Sequence, residues 1–218
     1  MSRALALAVL GGVMAAARPA VAQAPSAQAR PVQTHSPSEG SAITGLPVLE
    51  VPAPGASGPL MAVILSGDGG WAAADKEMAA ALAQRGIPVV GFDTPSYLTT
   101  SRTPDGAASD LQRLVQHYLG GWHKRQVLLI GYSHGADLAP FMVSRLDADL
   151  RDRIALLALL GLEHQASFRF HLGHSLCASL DRSLARVENH AGGHRISGSA
   201  GKDVVDLILS AARSGEPH

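Results

Sequence analysis

The fold is decided by the stretch Val127-Leu128-Leu129-Ile130-Gly131-Tyr132-Ser133-His134-Gly135-Ala136-Asp137, in which an apolar run is followed by Gly-x-Ser-x-Gly. The apolar run predicts a buried strand, and Gly135 to Leu146 predict a helix after it. The two glycines allow a sharp turn between this strand and this helix. Ser133 is therefore expected to be exposed at the carboxyl end of a sheet, above a helix N-terminus that favours negative charge. We therefore predict that Ser133 is a nucleophile. The alternative is a structural turn that happens to contain a serine.

The rest of the chain alternates between apolar runs and amphipathic stretches. Four further runs are predicted as strands: Leu46 to Val51, Met61 to Leu65, Val89 to Phe92 and Ile154 to Leu162. Helices are predicted at Ala72 to Arg85, Pro104 to about Tyr118, Gly135 to Leu146 and Val204 to Ala212. Continuously apolar strands are typical of a sheet that is buried on both faces. The pattern predicts a single α/β domain with a mostly parallel, doubly wound sheet of the α/β-hydrolase type.

Composition excludes several classes of function. The chain has 218 residues, of which 46% are hydrophobic and 17% charged, as in a globular domain. Lys and Arg together number 18, as do Asp and Glu, and only 4% of residues are aromatic, which argues against nucleic-acid binding. Cys177 is the only cysteine, so no intramolecular disulfide can form. The histidines lack zinc-site spacing, and we expect no metal and no cofactor.

The N-terminus has the features of an export signal. Arg3 precedes an apolar run from Ala4 to Ala17, and the small residues Ala20-Val21-Ala22 follow. The run is about 14 residues long, shorter than the ~20 needed to span a bilayer, so a cleaved signal peptide over 1–22 is favoured over an uncleaved anchor. Residues 23–45 are rich in Ala, Pro, Gln and Ser, which predicts a flexible linker before a domain over 46–218.

A second loop completes the predicted oxyanion site. Acyl transfer in this fold needs one backbone N–H from the residue after the nucleophile, here His134, and another from the loop after an earlier strand. That loop is Ser66-Gly67-Asp68-Gly69-Gly70-Trp71, in which Gly67, Asp68 and Gly69 are the predicted oxyanion or substrate-contacting residues. An ordinary glycine-rich turn is the alternative. The loop lacks the Gly-Lys-Ser/Thr of a phosphate-binding loop, so it does not indicate an NTPase.

The general base must follow the nucleophile in the chain order of this fold. His194, in Gly192-Gly193-His194, lies shortly before the last predicted helix, where the fold delivers its base. We therefore predict His194 as the base. The competing histidines are His164, His171, His174 and His190.

The catalytic acid is the least determined member of the triad. Its candidates lie between the nucleophile and the base: Asp137, Asp147, Asp149, Asp152, Glu163, Asp181 and Glu188. We expect Asp137 to be a first-turn helix residue, favoured there by the helix dipole. Glu163 is preferred because it stands at the end of a predicted strand, where an acid could orient the base. Asp181 is closer to the base in sequence but has no clear strand before it, so both stay open.

The motifs taken together are more specific than any one of them. Ser66–Trp71, Gly86–Gly91 with Asp93, Gly131–Asp137 and Gly192–His194 resemble the bacterial virulence protein family of VirJ and AcvB. Order and spacing agree from about Leu60 to His171 and again from about Leu176 to Ala212. The resemblance implies a periplasmic α/β-hydrolase that cleaves the aminoacyl ester of lysyl-phosphatidylglycerol, with Ser133 as nucleophile and His194 as base. A lipid substrate would imply peripheral contact with a membrane. The oligomeric state is not indicated.

The chain departs from the family pattern between Phe170 and Cys177. The family is longer there, with an additional helix and a strand that ends in an acidic run, whereas only Leu172-Gly173-His174 precede Ser175 here. The sheet is therefore expected to be shortened before its final strand, and the catalytic acid could be absent. Carboxylester hydrolysis is the favoured function. The alternatives are a degenerate, non-catalytic module that binds lipid or a secretion-system partner, and acyltransferase or peptidase chemistry.

Overall fold

The computed structural model describes residues 7–10, 43–162 and 200–214. The strands are β1 (Leu7–Leu10), β2 (Val48–Val51), β3 (Leu60–Leu65), β4 (Val89–Phe92), β5 (Gln126–Tyr132) and β6 (Ile154–Leu160). The helices are α1 (Ala73–Gln84), α2 (Thr94–Tyr97), α3 (Pro104–Gly121), α4 (His134–Val143), α5 (Ala148–Arg151) and α6 (Ala200–Ser214). The alternation of strands and helices that the sequence predicts is confirmed.

These strands form one mostly parallel sheet in the order β1-β6-β5-β3-β4-β2. Only β2 runs antiparallel to its neighbour, β4. At the centre, β3 and β5 are parallel, and Leu65 is opposite Gly131. Both strands therefore end at the same edge of the sheet, which we call the carboxyl edge. The segment Ser66–Trp71, which we call the Gly-rich loop, leaves that edge beside the turn after β5.

The sheet separates two apolar layers. Along β3, Met61, Val63 and Leu65 belong to the layer that contains side chains of α3 and α4. Ala62 and Ile64 belong to the opposite layer, with side chains of α1 and α6. All five residues are at most 1% exposed, because helices cover both faces of the strand. The fold is therefore the doubly wound α/β-hydrolase type that the apolar runs predict.

The ends of several predicted elements are corrected by the structure. β2 begins at Val48 instead of Leu46, after Pro47, which has no N–H to donate to a sheet. β6 ends at Leu160 instead of Leu162, because Gly161 has a φ of 67°. In α4 the last residue is Val143, three before the predicted Leu146, while α6 begins at Ala200, four before the predicted Val204.

Two short helices were not predicted. In α2 the backbone N–H of Ser96 donates to Asp93 Oδ1 at 3.3 Å, and in α5 the N–H of Leu150 donates to Asp147 Oδ1 at 2.7 Å. Each helix has four residues, so its sequence contains no full hydrophobic period. Local capping by an aspartate is what forms them.

The edge strand β1 comes from the segment predicted as a signal peptide. It pairs parallel with β6, from Leu7 opposite Leu157 to Leu10 opposite Leu160. It is thus the edge strand next to β6, and β5 lies on the other side of β6. The signal peptide and its cleavage stay predictions. Among the described helices, none is both long and apolar enough to cross a membrane.

Candidate active site

Ser133 is the single residue between β5 and α4. Its φ is 49° and its ψ −120°, a region that residues other than glycine avoid. Its backbone is held by hydrogen bonds on both sides: its N–H donates to the Leu160 carbonyl, and its carbonyl accepts from Ala136 N–H, both at 2.8 Å. Its side chain is half-buried. The structure therefore places Ser133 in the strained strand-to-helix turn that the Gly-x-Ser-x-Gly pattern predicts.

The two glycines of the motif are required by close backbone contacts. A Cβ on Gly131 would lie 2.6 Å from the Ala136 Cα, and a Cβ on Gly135 would lie 2.2 Å from the Leu65 carbonyl oxygen. Real Cβ atoms do not approach other atoms so closely. The start of α4 is thereby packed directly against the ends of β5 and β3, with Ser133 between them.

The Gly-rich loop lies against this turn. A Cβ on Gly67 would lie 3.1 Å from Ser133 Cβ and 3.4 Å from the Tyr132 carbonyl oxygen. Within the loop, Gly70 N–H donates to the Gly67 carbonyl at 3.0 Å, and Gly70 has a φ of 68°. Gly67 is buried, whereas Asp68 and Gly69 are exposed. Of the predicted oxyanion residues in this loop, the structure thus brings Gly67 next to the predicted nucleophile.

A side-chain pair links the loop to the turn. The Nδ1 atom of His134, the first residue of α4, lies 3.8 Å from Asp68 Oδ1. The His134 side chain is 12% exposed and that of Asp68 80%, so the imidazole is largely enclosed and the carboxylate faces solvent. The pair is ionic when the imidazole is protonated. From the sequence, only the backbone of His134 was predicted to have a role.

A buried polar layer lies at the two ends of the Gly-rich loop. Ser66, Asp75 and Thr94 are each 0% exposed. Ser66 Oγ accepts from Thr94 N–H at 3.0 Å, and Asp75 Oδ2 accepts from Ala72 N–H at 3.1 Å. Burial above all, and to a smaller extent the nearby Asp93, raises the pKa of Asp75 to about 6, against the lowering effect of hydrogen bonds from the backbone of Ala72 and Asp75. This carboxyl group was not among the residues predicted from the sequence.

Four of the candidate acids lie in the described residues. Asp137 is buried in the first turn of α4, as expected. Asp147, Asp149 and Asp152 precede β6, at the edge of the parallel sheet opposite to Ser133. Their position therefore gives no support to a role as the catalytic acid of Ser133.

The remaining members of the predicted triad lie outside the described residues. They are the base His194, the acids Glu163, Asp181 and Glu188, and the competing histidines His164, His171, His174 and His190. Their roles stay predictions. Among residues 7–10, 43–162 and 200–214, no cluster of three His, Cys, Asp or Glu side chains could hold a metal ion.

Comparison with protein families gives one match. The family model described as bacterial virulence protein (VirJ) matches residues 59–194, which is more than half of the chain and includes the Gly-rich loop, Ser133 and His194. The comparison with curated proteins gives no significant match.

Several solved structures are similar to this chain. Est1E from Butyrivibrio proteoclasticus is 14% identical with a TM-score of 0.41, covering 50% of this chain and 43% of that protein. The siderophore hydrolase EstB from Aspergillus fumigatus is 16% identical with a TM-score of 0.42, covering 62% of this chain and 43% of that one. An α/β serine hydrolase without a lid from Xanthomonas campestris is 16% identical with a TM-score of 0.46, covering 78% and 89%. The chain therefore spans less than half the length of the first two proteins.

Proposed function

This chain belongs to the family of bacterial virulence protein VirJ, and we propose that it is a serine hydrolase that cleaves carboxylic esters with Ser133 as its nucleophile. Family membership and the α/β-hydrolase fold support a hydrolase. The observation that carries the serine assignment is the backbone of Ser133, with a φ of 49° between a buried strand and a helix. Such strain is typical of functional positions, where it directs a side chain toward a substrate.

In the proposed reaction, Ser133 Oγ attacks the ester carbonyl carbon while His194 accepts the hydroxyl proton. The carbonyl π bond breaks and leaves a negative charge on its oxygen. The tetrahedral intermediate then collapses, the alcohol leaves with the proton from His194, and an acyl-serine remains. A water molecule, deprotonated by the same histidine, then attacks the acyl-serine, the bond between the acyl carbon and Ser133 Oγ breaks, the acid leaves, and Ser133 Oγ takes the proton back from His194. Glu163 or Asp181 would orient the histidine.

The oxyanion would be stabilised by backbone N–H groups. His134 is the first residue of α4, and the first N–H groups of a helix have no acceptor within the helix. Gly67 lies against Ser133, so N–H groups of the Gly-rich loop would be close to the same oxyanion. Removal of one such donor typically costs about 100- to 1000-fold in turnover.

For the substrate, we propose the aminoacyl ester of lysyl-phosphatidylglycerol on the periplasmic side of the membrane. The proposal is supported by family membership, by the agreement of the four sequence motifs, and by the export signal predicted over 1–22. The protein would reach the membrane through its lipid substrate. A second candidate is a non-catalytic module that binds lipid or a secretion-system partner, which the short segment between Phe170 and Cys177 favours.

The first test is a serine-directed covalent label. The protein, purified after export from cells that express the full chain, is incubated with a fluorophosphonate probe and the modified residue is identified by mass spectrometry. The serine oxygen replaces fluoride on phosphorus, so the probe needs no knowledge of the substrate. We expect modification of Ser133, none in Ser133→Ala, and strong reduction in His194→Ala.

The same experiment contains an internal control. Ser144, the C-cap residue of α4, is exposed and has an ordinary helical backbone with a φ of −60° and a ψ of −19°. An exposed but unactivated hydroxyl should stay unmodified. Equal labelling of Ser144 and Ser133 would mean that Ser133 is no more reactive than a surface serine, which would contradict its role as nucleophile.

The second test addresses the substrate. Vesicles that contain lysyl-phosphatidylglycerol are incubated with the wild-type protein and with Ser133→Ala, and free lysine is measured. Release by the wild type alone supports the proposed substrate. A folded protein that takes up no probe and releases no lysine, yet binds the vesicles, would establish the non-catalytic module instead.

A further inference from the structure

The two ends of the Gly-rich loop are fixed by buried polar groups. At the first end, Ser66 N–H donates to the Phe92 carbonyl and Ser66 Oγ accepts from Thr94 N–H, both at 3.0 Å. At the other end the chain passes into Ala72, whose N–H donates to Asp75 Oδ2 at 3.1 Å. The side chain of Asp75 is therefore the polar group that fixes the exit of the loop into α1.

Asp75 differs in burial from the exposed first-turn acid of α3. Asp105, in the first turn of α3, has a side chain that is 88% exposed, so solvent screens its charge. Asp75 is 0% exposed, and its Oδ1 atom has no hydrogen-bond partner among the described residues. A buried carboxylate with an unsatisfied oxygen costs free energy that an exposed one does not. An exposed acid would interact with the helix dipole equally well, so the dipole does not explain why Asp75 is buried.

Tight contacts connect this end of the loop to Ser133. A Cβ on Gly91 of β4 would lie 2.6 Å from the Trp71 ring, so the indole packs directly on the strand. A Cβ on Gly70 would lie 3.3 Å from Asp93 Oδ1. Gly67, three residues earlier, lies against Ser133. A shift of Ala72 would therefore move Trp71 and Gly70, and through them the part of the loop that faces the nucleophile.

We propose that Asp75 is a positioning residue for the Gly-rich loop: by holding Ala72 N–H, its buried carboxyl group keeps the loop against Ser133. Asp75 does not touch the reacting atoms and acts only through the backbone of the loop. The inference rests on the proposed function in one respect, namely that the N–H groups of this loop stabilise the oxyanion. The charged groups that act on Asp75 are Asp93, which opposes its ionisation, and Lys76, which favours it. An ionised carboxylate is the stronger acceptor for the Ala72 N–H.

The test compares three variants of the exported protein. Asp75→Ala removes the acceptor, Asp75→Asn keeps an oxygen in the same place, and Asp147→Ala removes a comparable bond at α5, where Asp147 Oδ1 accepts from Leu150 N–H at 2.7 Å. Two quantities are measured: hydrogen exchange of the backbone amides of 66–72, and kcat and KM for a simple carboxylic ester. If Asp75→Ala does not fold, Ala72→Pro removes the donated N–H and leaves the carboxyl group intact.

We expect Asp75→Ala to accelerate exchange in 66–72 and to lower kcat by about 100-fold at an unchanged KM, as for a displaced oxyanion donor. Asp75→Asn should recover most of kcat, and Asp147→Ala should change neither quantity. Exchange in 66–72 that is the same in Asp75→Ala as in Asp147→Ala would overturn the proposal. So would an active wild type whose kcat survives Asp75→Ala. If the wild type is inactive but exchange in 66–72 is accelerated in Asp75→Ala, the positioning role of Asp75 is supported and the proposed hydrolase activity is refuted.

Discussion

The two edges of the parallel sheet differ in how tightly they are packed. At the carboxyl edge, a Cβ added to Gly67 would lie 3.1 Å from its nearest neighbouring atom, and one added to Gly135 would lie 2.2 Å from its nearest. At the amino edge, where β3, β5 and β6 begin, Gly58 and Gly86 have no atom within 4 Å of that position. The amino edge contains a cavity of about 710 Å³, lined in part by Leu60, Gln126, Ile154 and Arg213. The candidate nucleophile is at the other edge.

This contrast shows which features locate the candidate site. A cavity of that volume is large enough for a small ligand. Its rim, however, carries Arg85 and Asp206, which pair with each other, and its described lining residues include no strained backbone other than glycine. The carboxyl edge has a strained serine, backbones in contact and a buried carboxyl group. At the amino edge His123, shortly before β5, also has a positive φ, of 53°, but it is exposed. Strain combined with close packing therefore points to the carboxyl edge, whereas volume does not.

The largest effect should come from a methyl group at the carboxyl edge. In Gly135→Ala the new Cβ would overlap the Leu65 carbonyl oxygen at 2.2 Å, so β3 and α4 must separate. We expect a loss of about 4 kcal/mol in the free energy of unfolding, or no folded protein. Urea unfolding followed by circular dichroism measures it. The matched variant Gly58→Ala, at the amino edge, should stay within about 0.5 kcal/mol of the wild type. Equal losses in the two variants would remove the contrast between the edges.

A methyl group on the loop should act on activity more than on stability. In Gly67→Ala the Cβ would lie 3.1 Å from Ser133 Cβ, so the loop must move by a few tenths of an ångström or more. If the loop supplies oxyanion donors, we expect a fall in kcat on the order of 100-fold. Ester turnover and the rate of labelling by the fluorophosphonate probe measure it. Full activity in a folded Gly67→Ala protein would show that the loop does not serve Ser133.

The carboxyl edge was predictable from sequence where its determinants are local. The apolar run, the two glycines and Ser133 are consecutive, and each has a direct steric reason. The strands β3 and β4 were equally clear, because strands buried on both faces are continuously apolar. The alignment of β3 with β5 follows from the parallel sheet, which brought the Gly-rich loop to Ser133.

Contacts between distant segments were not predictable. Asp75 looks like any first-turn acid, and its burial depends on how α1 packs on the sheet. The pair of His134 and Asp68 joins residues that are far apart in sequence. The pairing of Leu7–Leu10 with β6 is a third contact of this kind, because a short apolar run does not indicate which strand it pairs with.

The ionisation of Asp75 should appear in the pH dependence of stability. Because its pKa is raised from 3.8 to about 6, the folded state holds this proton more tightly than the unfolded state. The wild type should therefore lose stability relative to Asp75→Asn as the pH rises from about 4 to about 6, and the deficit should be constant above that. A rise of this size in the pKa corresponds to a free energy on the order of 2 to 3 kcal/mol at pH 7. Unfolding curves at pH 4, 5, 6 and 7 measure it, with Asp105→Asn as the exposed control. A difference that does not change with pH would mean that the pKa of Asp75 is the same in the folded and unfolded states, which would contradict the raised value.

The smallest effect is expected at the amino edge. Arg85 and Asp206 form an ion pair between α1 and α6, with side chains 30% and 62% exposed. Exposed pairs of this kind contribute about 0 to 1 kcal/mol and are weakened by salt. Arg85→Ala should therefore lower the free energy of unfolding by less than about 1 kcal/mol, with a smaller difference in 1 M salt than in 0.1 M. It should leave labelling of Ser133 unchanged, because the pair lies at the opposite edge from the turn. A loss of labelling at intact stability would mean that the two edges are coupled through α1, whose N-terminus is held by Asp75.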